Sequence, residues 1–82
     1  MFYVYVLKSK IFNKIYIGYT SELKGRLEAH NHISNKGWTK AFKPWELVYS
    51  EEYNTKIDAM KREKQLKSQK GREFIHKEIL NK

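Results

Sequence analysis

Two tyrosines and a glycine near the N-terminus have the spacing of a small anion-binding niche. Tyr5 and Tyr16 stand in two aromatic, β-branched segments, and Gly18 follows Tyr16 by two residues. If these segments pair as an antiparallel hairpin centred between positions 10 and 11, the two phenols lie opposite each other on one face. Gly18 shares that face, and strand glycines often mark the close approach of a ligand or another backbone. The residues therefore predict a phosphate-sized niche; the alternative is a tyrosine-rich sheet face with a packing glycine.

Arg26 and His30 form a second pair with chemical potential. They lie four residues apart in a segment of helical periodicity, so they share one face beside the apolar stripe of Leu23 and Leu27. An arginine there presents a planar fork to a phosphate, and a histidine moves a proton near neutral pH. The alternative is an ordinary solvated face in which the pair contacts Glu22 within the helix.

Glu63 is a carboxylate within or beside an apolar helical stripe. It follows Ala59 by four residues and Met60 by three, and it precedes Leu66 by three. A carboxylate near a core face is costly unless it has a partner. Lys67 at i+4 is one such partner, and a divalent cation is the other, since Mg²⁺ often takes one carboxylate with waters and substrate phosphate.

The segments that position these residues follow the order β-β-α-β-α-α. Strands are predicted at residues 2–7, 15–20 and 45–53, where aromatic and β-branched residues concentrate. A helix is predicted over residues 21–32 with Thr20 or Ser21 as N-cap, followed by a loop over residues 37–44. This pattern predicts an α+β fold, a small three-stranded antiparallel sheet flanked by helices.

A second helix is predicted to begin after the third strand. Asn54 or Thr55 caps it, and Asp58 completes a capping box with Thr55. Its apolar stripe is predicted to be Ile57, Met60 and Leu66. Gly71 is expected to interrupt it before a last short helix that contains Phe74, Ile75, Ile79 and Leu80.

Length and charge narrow the function classes. The chain has 82 residues, so a single domain over residues 1–82 is predicted. Its 17 Lys and Arg against 9 Asp and Glu give a formal net charge of +8, which indicates a polyanionic partner, most simply nucleic acid. The alternative is a basic protein whose charge only keeps it soluble. There are no cysteines, no membrane-spanning run and no signal peptide, so we expect a soluble cytoplasmic protein without disulfides.

Several short stretches form an ordered set along nearly the whole chain. They are YVY at 3–5, YIG at 16–18, Arg26 with His30 and Asn31, KGWTK at 36–40, PWELVY at 44–49, and AMKRE at 59–63 with Leu66 and Lys67. Each stretch alone is weakly specific, but their order and spacing resemble the GIY-YIG nuclease family, in particular its small stand-alone bacterial members.

This resemblance implies metal-dependent phosphodiester cleavage and assigns roles by position. Tyr5 and Tyr16 match the two signature tyrosines, one of which deprotonates or positions the attacking water. Arg26 matches the arginine that stabilises charge on the phosphoryl transition state. His30 matches a position for proton transfer or positioning, and Glu63 matches the glutamate that holds a single divalent ion, Mg²⁺ or Mn²⁺.

The chain departs from the family pattern at its first signature glycine, where Tyr3 stands. No separate DNA-binding domain is found, so sequence specificity is expected to be low, or to come from DNA shape, a protein partner or a homodimer. Backbone binding is assigned to basic residues in the loop and the later helix, namely Lys36, Lys40, Lys43, Lys64, Lys67, Lys70 and Arg72.

The hypothesis that follows is a metal-dependent endonuclease that hydrolyses nucleic-acid phosphodiester bonds, with DNA as the expected partner and repair or recombination as the setting. The alternative is a non-catalytic module on a nuclease fold that binds nucleic acid or recruits a larger complex. A pure binder has no use for an isolated carboxylate on a helical stripe, which favours the enzyme.

Overall fold

Three antiparallel strands form the centre of the protein in a computed structural model that describes residues 1–31 and 38–80. They are β1 (Phe2–Ser9), β2 (Ile15–Thr20) and β3 (Trp45–Tyr53), in the spatial order β2-β1-β3. β1 is therefore the central strand and pairs antiparallel with both neighbours. The two edge strands are β2 and β3.

Helices cover both faces of this sheet. They are α1 (Leu23–Asn31), α2 (Lys56–Lys67) and α3 (Gln69–Phe74), with a 3₁₀ helix at Trp38–Phe42 and a π-helical turn at Ile75–Leu80. The predicted α+β fold with a three-stranded antiparallel sheet and flanking helices is confirmed. Within the described ranges, no helix has the length and hydrophobicity that a bilayer-spanning helix needs.

The alternation of side chains along β1 produces two separate hydrophobic clusters. Val4 and Val6 are fully buried beneath α2 and the π-helical turn, together with Ala59, Leu66 and Ile75. Tyr5 and Leu7 point to the opposite face, where α1 and the 3₁₀ helix cover them. Successive side chains of a strand point to opposite faces, so Tyr5 belongs to the α1 side of the sheet.

The register of the hairpin differs from the prediction. Tyr5 lies opposite Gly18, and Leu7 lies opposite Tyr16, so the expected direct pairing of the two tyrosines is wrong. β1 runs on to Ser9, whose backbone N–H donates to the Lys14 carbonyl at 3.0 Å, and this extra length moves the centre of the turn. The shift moves Tyr16 by two residues along its partner strand, so both tyrosines keep the same face.

Two of the three helix predictions before α2 and at its start differ from the structure, and one is confirmed. α1 begins at Leu23 rather than at residue 21, because the Thr20 hydroxyl accepts the Glu22 N–H at 3.0 Å and holds Ser21 and Glu22 outside the helix. The predicted loop over residues 37–44 contains the 3₁₀ helix. The Thr55 cap is confirmed, since its hydroxyl accepts the Asp58 N–H at 3.2 Å.

The break after α2 occurs at Ser68 and not at the predicted Gly71. Ser68 ends α2 by donating its N–H to the Gln65 carbonyl, and its hydroxyl accepts the Gly71 N–H to begin α3. Gly71 lies within α3 against the backbone of α2. A Cβ there would lie 2.1 Å from the Gln65 carbonyl oxygen, so no larger residue fits this corner.

The predicted apolar stripe of α2 is also wrong in part. Ala59 and Leu66 are fully buried, but Ile57 and Met60 are 65% and 39% exposed. Relative to the predicted orientation, the helix is rotated about its axis. Arg62 and Glu63 therefore lie half-buried beside the buried stripe of Ala59 and Leu66. This rotation brings Glu63 to the edge of the sheet formed by β2.

Candidate active site

One open cavity of about 420 Å³ lies beside the β2 edge of the sheet, and residues of both α1 and α2 contribute to its lining. Its lining combines sheet, turn and helix residues: Phe2, Tyr5, Tyr16, Gly18, Tyr19, Thr20, Ser21, Arg26, Lys56 and Glu63. Four of the five residues predicted to be catalytic therefore share one cavity. The fifth, His30, reaches it through Tyr5.

Tyr5, Tyr16 and His30 form a compact aromatic cluster under α1. The Tyr5 hydroxyl and His30 Nε2 are 3.2 Å apart, within hydrogen-bond distance. The Tyr16 ring lies 4.5 Å from the His30 ring and 6.1 Å from the Tyr5 ring, centroid to centroid. Tyr5 and His30 are both buried, which holds the phenol in one orientation at the cavity wall.

Burial sets the charge states of this cluster. Burial raises the pKa of the Tyr5 phenol well above its usual range, and the neighbouring Tyr16 raises it further. Burial also lowers the pKa of the His30 imidazole, and the charge of Arg26 adds to that effect. A neutral phenol therefore meets a neutral imidazole at pH 7.

Gly18 gives the Tyr5 ring the space it occupies. A Cβ at this position would lie 2.7 Å from the Tyr5 hydroxyl oxygen and 3.0 Å from Cε1 of Tyr16. The close approach that the sequence indicated at Gly18 is thus made by the tyrosine rings. Gly18 also lines the cavity, so the absence of a side chain keeps the phenol within reach of a bound group.

Glu63 has the donor chemistry that a hard divalent cation requires. Its Oε1 lies 3.5 Å from Lys67 Nζ, and among the described residues its carboxylate makes no other polar contact. The side chain is 19% exposed, at the cavity wall, with phenol oxygens in the same lining. Within residues 1–31 and 38–80, no three His, Asp or Glu side chains converge on one point. One carboxylate, waters and substrate phosphate fit Mg²⁺ or Mn²⁺ better than a full protein cage.

Lys56 is a cavity residue that the sequence analysis missed. It precedes Glu63 by seven residues on α2, and this spacing places both side chains on one face of a helix. With Arg26 from α1, it gives the cavity two cations beside the single carboxylate. The seven-residue spacing between Lys56 and Glu63 is the sequence feature that could have predicted Lys56 as a cavity residue.

A second missed feature is a polar network behind α2. Glu51 on β3 accepts hydrogen bonds from Nε and Nη2 of Arg62 at 2.9 and 3.1 Å, and from the hydroxyls of Tyr49 and Tyr53. Burial by itself raises the pKa of the Glu51 carboxyl, but the hydrogen bonds from Arg62 and the two tyrosines outweigh it and lower the pKa. Arg62 also packs over the Phe74 ring. This network fixes α2 on the side opposite the cavity, next to Glu63 in sequence.

The basic residues predicted to bind nucleic acid lie outside the cavity. Lys40, Lys64, Lys70 and Arg72 are exposed, Lys43 is half-buried, and Lys36 lies outside the described residues. Lys67 differs from these because it pairs with Glu63. The Lys67 ammonium group therefore contacts the Glu63 carboxylate and is also exposed to solvent.

The family model for the GIY-YIG catalytic domain matches residues 1–77. The chain belongs to the GIY-YIG family. Membership of this family implies nuclease activity on nucleic acid, and it confirms the resemblance that the short sequence stretches indicated.

Curated relatives of this GIY-YIG domain include staphylococcal proteins of similar length. The UPF0213 protein of Staphylococcus haemolyticus is 39% identical over 66 residues, which cover 80% of this chain and 79% of the relative. A UPF0213 protein of Staphylococcus aureus is 38% identical over the same shares of the two chains. No solved structure matches the chain significantly.

Proposed function

We propose that this GIY-YIG domain is a divalent-metal-dependent endonuclease that hydrolyses phosphodiester bonds of DNA. The observation that carries the proposal is the shared cavity of Tyr5, Tyr16, Arg26 and Glu63, four residues from four different elements. Two phenols, one guanidinium and one carboxylate are the groups that phosphoryl transfer needs for water, developing charge and metal.

The proton path starts at the Tyr5 hydroxyl. A phenol with a raised pKa does not persist as a phenolate at pH 7, so Tyr5 accepts a proton from water only if it passes its own onward. His30 Nε2, 3.2 Å away and neutral, is the acceptor. Tyr5 thus orients the attacking water, and His30 takes up the proton only transiently, because burial and the charge of Arg26 lower the pKa of its imidazole. Tyr16 packs against His30 and helps to hold its ring.

Arg26 and Glu63 handle the charge of the phosphate. Arg26 places a fixed positive charge at the cavity and can form a forked pair of hydrogen bonds with two phosphate oxygens. Glu63 would hold one Mg²⁺ or Mn²⁺ ion, which supplies Lewis-acid polarisation of the phosphoryl group when it is bound. Lys67 would have to release the carboxylate oxygen that it now pairs with.

The substrate is expected to be DNA recognised mainly through its backbone. The proposed contacts are the exposed basic residues, which read phosphates and not bases, so low sequence specificity follows. We infer a role in DNA repair or recombination in the cytoplasm, carried by residues 1–82 as one domain. A homodimer or a partner protein would supply any further specificity.

Cleavage of a labelled substrate panel tests this function. Linear duplex, flap, four-way junction, single strand and RNA are incubated with wild-type and Glu63→Gln protein, with Mg²⁺, Mn²⁺ or chelator. Metal-dependent cutting by the wild type, lost in Glu63→Gln, is the expected result. Undiminished cutting by Glu63→Gln would overturn the metal role. No cutting with salt-sensitive binding would establish the non-catalytic module instead.

A further inference from the structure

The turn between β1 and β2 holds two large apolar side chains out into solvent. Ile11 is 70% exposed and Phe12 is 45% exposed. We call residues 10–14 the hairpin tip. Isolated exposed apolar residues are common on protein surfaces, but two adjacent ones at the end of a hairpin form a small protruding wedge.

Hydrogen bonds hold the hairpin tip in this arrangement. The hydroxyl of Ser9, which is fully buried, accepts the backbone N–H groups of Ile11 at 3.3 Å and Phe12 at 3.0 Å. The Lys14 N–H donates to the Phe12 carbonyl at 2.9 Å, and the Lys10 N–H donates to the Pro44 carbonyl at 2.9 Å. The two apolar side chains are thus presented by an ordered turn, so they lose little conformational entropy on binding.

Aromatic contacts join the hairpin tip to the 3₁₀ helix. The Phe12 ring packs edge-on against Phe42 with centroids 5.5 Å apart, and Lys14 Nζ lies 5.7 Å from the Phe42 centroid. This contact makes the tip and the 3₁₀ helix one surface. Phe12 is therefore anchored at its base, and Ile11 is the more exposed member of the pair.

Positive charge surrounds this apolar pair. Lys10 and Lys14 flank it in sequence, and Lys40 is exposed on the 3₁₀ helix that packs against it. Within the part of the chain that the structure describes, no carboxylate lies within salt-bridge distance of Lys10, Lys14 or Lys40. Two carboxylates lie beyond these lysines: Glu46 on β3 is opposite Lys8, and Glu73 of α3 lines a pocket together with Asn13 of the hairpin tip. An apolar centre with a cationic rim complements a nucleic acid whose bases are exposed between its phosphates.

We propose that the hairpin tip is a second nucleic-acid contact that binds DNA where base stacking is already broken, at a nick, a mismatch or a bulge. Ile11 and Phe12 pack against the exposed base faces, and Lys10, Lys14 and Lys40 contact the flanking phosphates. Apolar wedges of this kind cost unstacking energy on intact duplex, and that cost is least where the duplex is already distorted.

The position of the tip suits a contact apart from the reaction centre. Ser9 follows Tyr5 by four residues on β1, which corresponds to about 13 Å along the strand. A lesion bound at the tip therefore places phosphates several nucleotides away in the catalytic cavity. The proposal rests on the proposed nucleic-acid substrate, and it is independent of whether the bond is cut.

Binding measurements with matched variants test this proposal. Glu63→Gln protein is used as background, so that binding is read without cleavage, on a fully paired duplex and on the same duplex with a central mismatch, nick or two-nucleotide bulge. We expect the distorted duplexes to bind about tenfold more tightly than the paired duplex, on the scale of one base stacked on a protein side chain. Ile11→Ser should remove most of this preference while leaving affinity for the paired duplex within about twofold. A fluorescent base analogue beside the lesion should report the contact in the background protein and lose its response with Ile11→Ser.

Ile57→Ser is the matched control, because Ile57 is 65% exposed on α2, away from the hairpin tip. It should leave the preference unchanged. Phe12→Leu keeps the packing volume against Phe42 and should keep part of the preference. Equal affinity of the background protein for paired and distorted DNA would overturn the proposal, as would equal effects of Ile11→Ser and Ile57→Ser. An absence of cleavage by the wild type, with the preference intact, would count against the proposed function only.

Discussion

Tyr5 is the side chain on which the site depends most. The side chain is buried in β1, lies opposite Gly18 and has its hydroxyl within hydrogen-bond distance of His30. These contacts hold its ring in one orientation. The cavity reaches its phenol only because the neighbouring residue has no side chain. This dependence makes Gly18, which carries no functional group, a residue that the proposed chemistry requires.

Gly18→Ala should therefore damage both stability and activity. The added methyl lies 2.7 Å from the Tyr5 hydroxyl and must displace a buried ring, which costs about 1–3 kcal/mol and moves the phenol off His30. Urea denaturation and cleavage assays measure the two effects. Gly25→Ala is the control, because its methyl meets only Glu22 Cβ at 4.0 Å and an alanine in a helix gains about 0.5–1 kcal/mol. Wild-type stability and cleavage in Gly18→Ala would contradict the account of Tyr5.

Arg26→Ala should slow turnover far more than it weakens binding. The guanidinium lines the cavity and would stabilise charge that develops only in the transition state, so a 10²–10⁴-fold fall in kcat is expected, roughly the range for such groups. Single-turnover cleavage and equilibrium binding separate the two quantities. Lys24→Ala removes one charge from the same helix outside the cavity, and should change kcat less than about twofold. A loss confined to binding would remove Arg26 from the transition state.

His30 should make the protein less stable in mild acid. Its pKa in the folded state lies below the ordinary 6.5, so below that value the unfolded chain binds a proton that the folded chain resists. Stability then falls as the pH drops from 7 to 5, by at most about 1.4 kcal/mol per pH unit. Denaturation curves at three pH values should show a shallower fall for His30→Gln than for the wild type. A fall of equal steepness in His30→Gln and the wild type would contradict this account.

Among the elements, α2 is the helix whose orientation matters most for the cavity, because contacts on two sides of the helix determine where Glu63 points. Ala59 and Leu66 pack under the sheet, and the Arg62–Glu51 pair fixes the rotation of the helix about its axis. Glu63, the next residue, then faces the cavity. A helix attached only by small apolar residues would rotate more easily, so the network serves the site without touching it.

Glu51→Gln should destabilise the fold by about 2–3 kcal/mol, because it leaves Arg62, Tyr49 and Tyr53 with a neutral partner. Because the pKa of Glu51 is lowered in the folded state, its ionised carboxylate stabilises the fold above pH 4.5. This stabilisation disappears as the pH falls through the pKa of the folded state. The difference between wild type and variant should therefore shrink in acid. Glu52→Gln, one residue further on β3 and exposed, should cost less than about 0.5 kcal/mol. Equal losses in the two variants would refute the network.

As a whole, the protein carries its net charge of +8 on several surfaces, and the later helices hold a large share of it. Lys64 and Lys70 are exposed on α2 and α3 and make no ion pair among the described residues, whereas Lys67 is engaged with Glu63. Binding tests of the basic surface are therefore cleaner with Lys64 and Lys70 than with Lys67.

Lys64→Ala combined with Lys70→Ala should weaken duplex binding and flatten its salt dependence. Each phosphate contact contributes about 0.9 to the slope of log K against log salt, so the loss of two contacts lowers the slope by about 1.8. Fluorescence anisotropy over a salt series measures it. Lys24→Ala with Lys77→Ala removes the same charge from other surfaces and should change the slope little. A larger effect of this second pair would move the binding surface to α1 and the C-terminal turn.

The local sequence was enough to predict the elements and the types of chemistry. Strand residues cluster, helix caps such as Thr55 act within three residues, and the face shared by Tyr5 and Tyr16 depends only on the parity of a strand. These properties are set by short-range steric contacts and hydrogen bonds. Both partners of each such contact are neighbours in the sequence, so the sequence alone reveals them.

The hairpin register, the rotation of α2 and the convergence of Lys56 with Arg26 could not be obtained in the same way. The hairpin turn is held from outside the hairpin, because the Lys10 N–H donates to the carbonyl of Pro44 at 2.9 Å, a residue far from it in sequence. The rotation depends on Glu51, a residue of β3 far from α2 in sequence. The linear chain therefore determined which groups were available for phosphoryl chemistry. Packing between elements that are distant in sequence determined which of those groups meet, because each contact requires both partners to be in place.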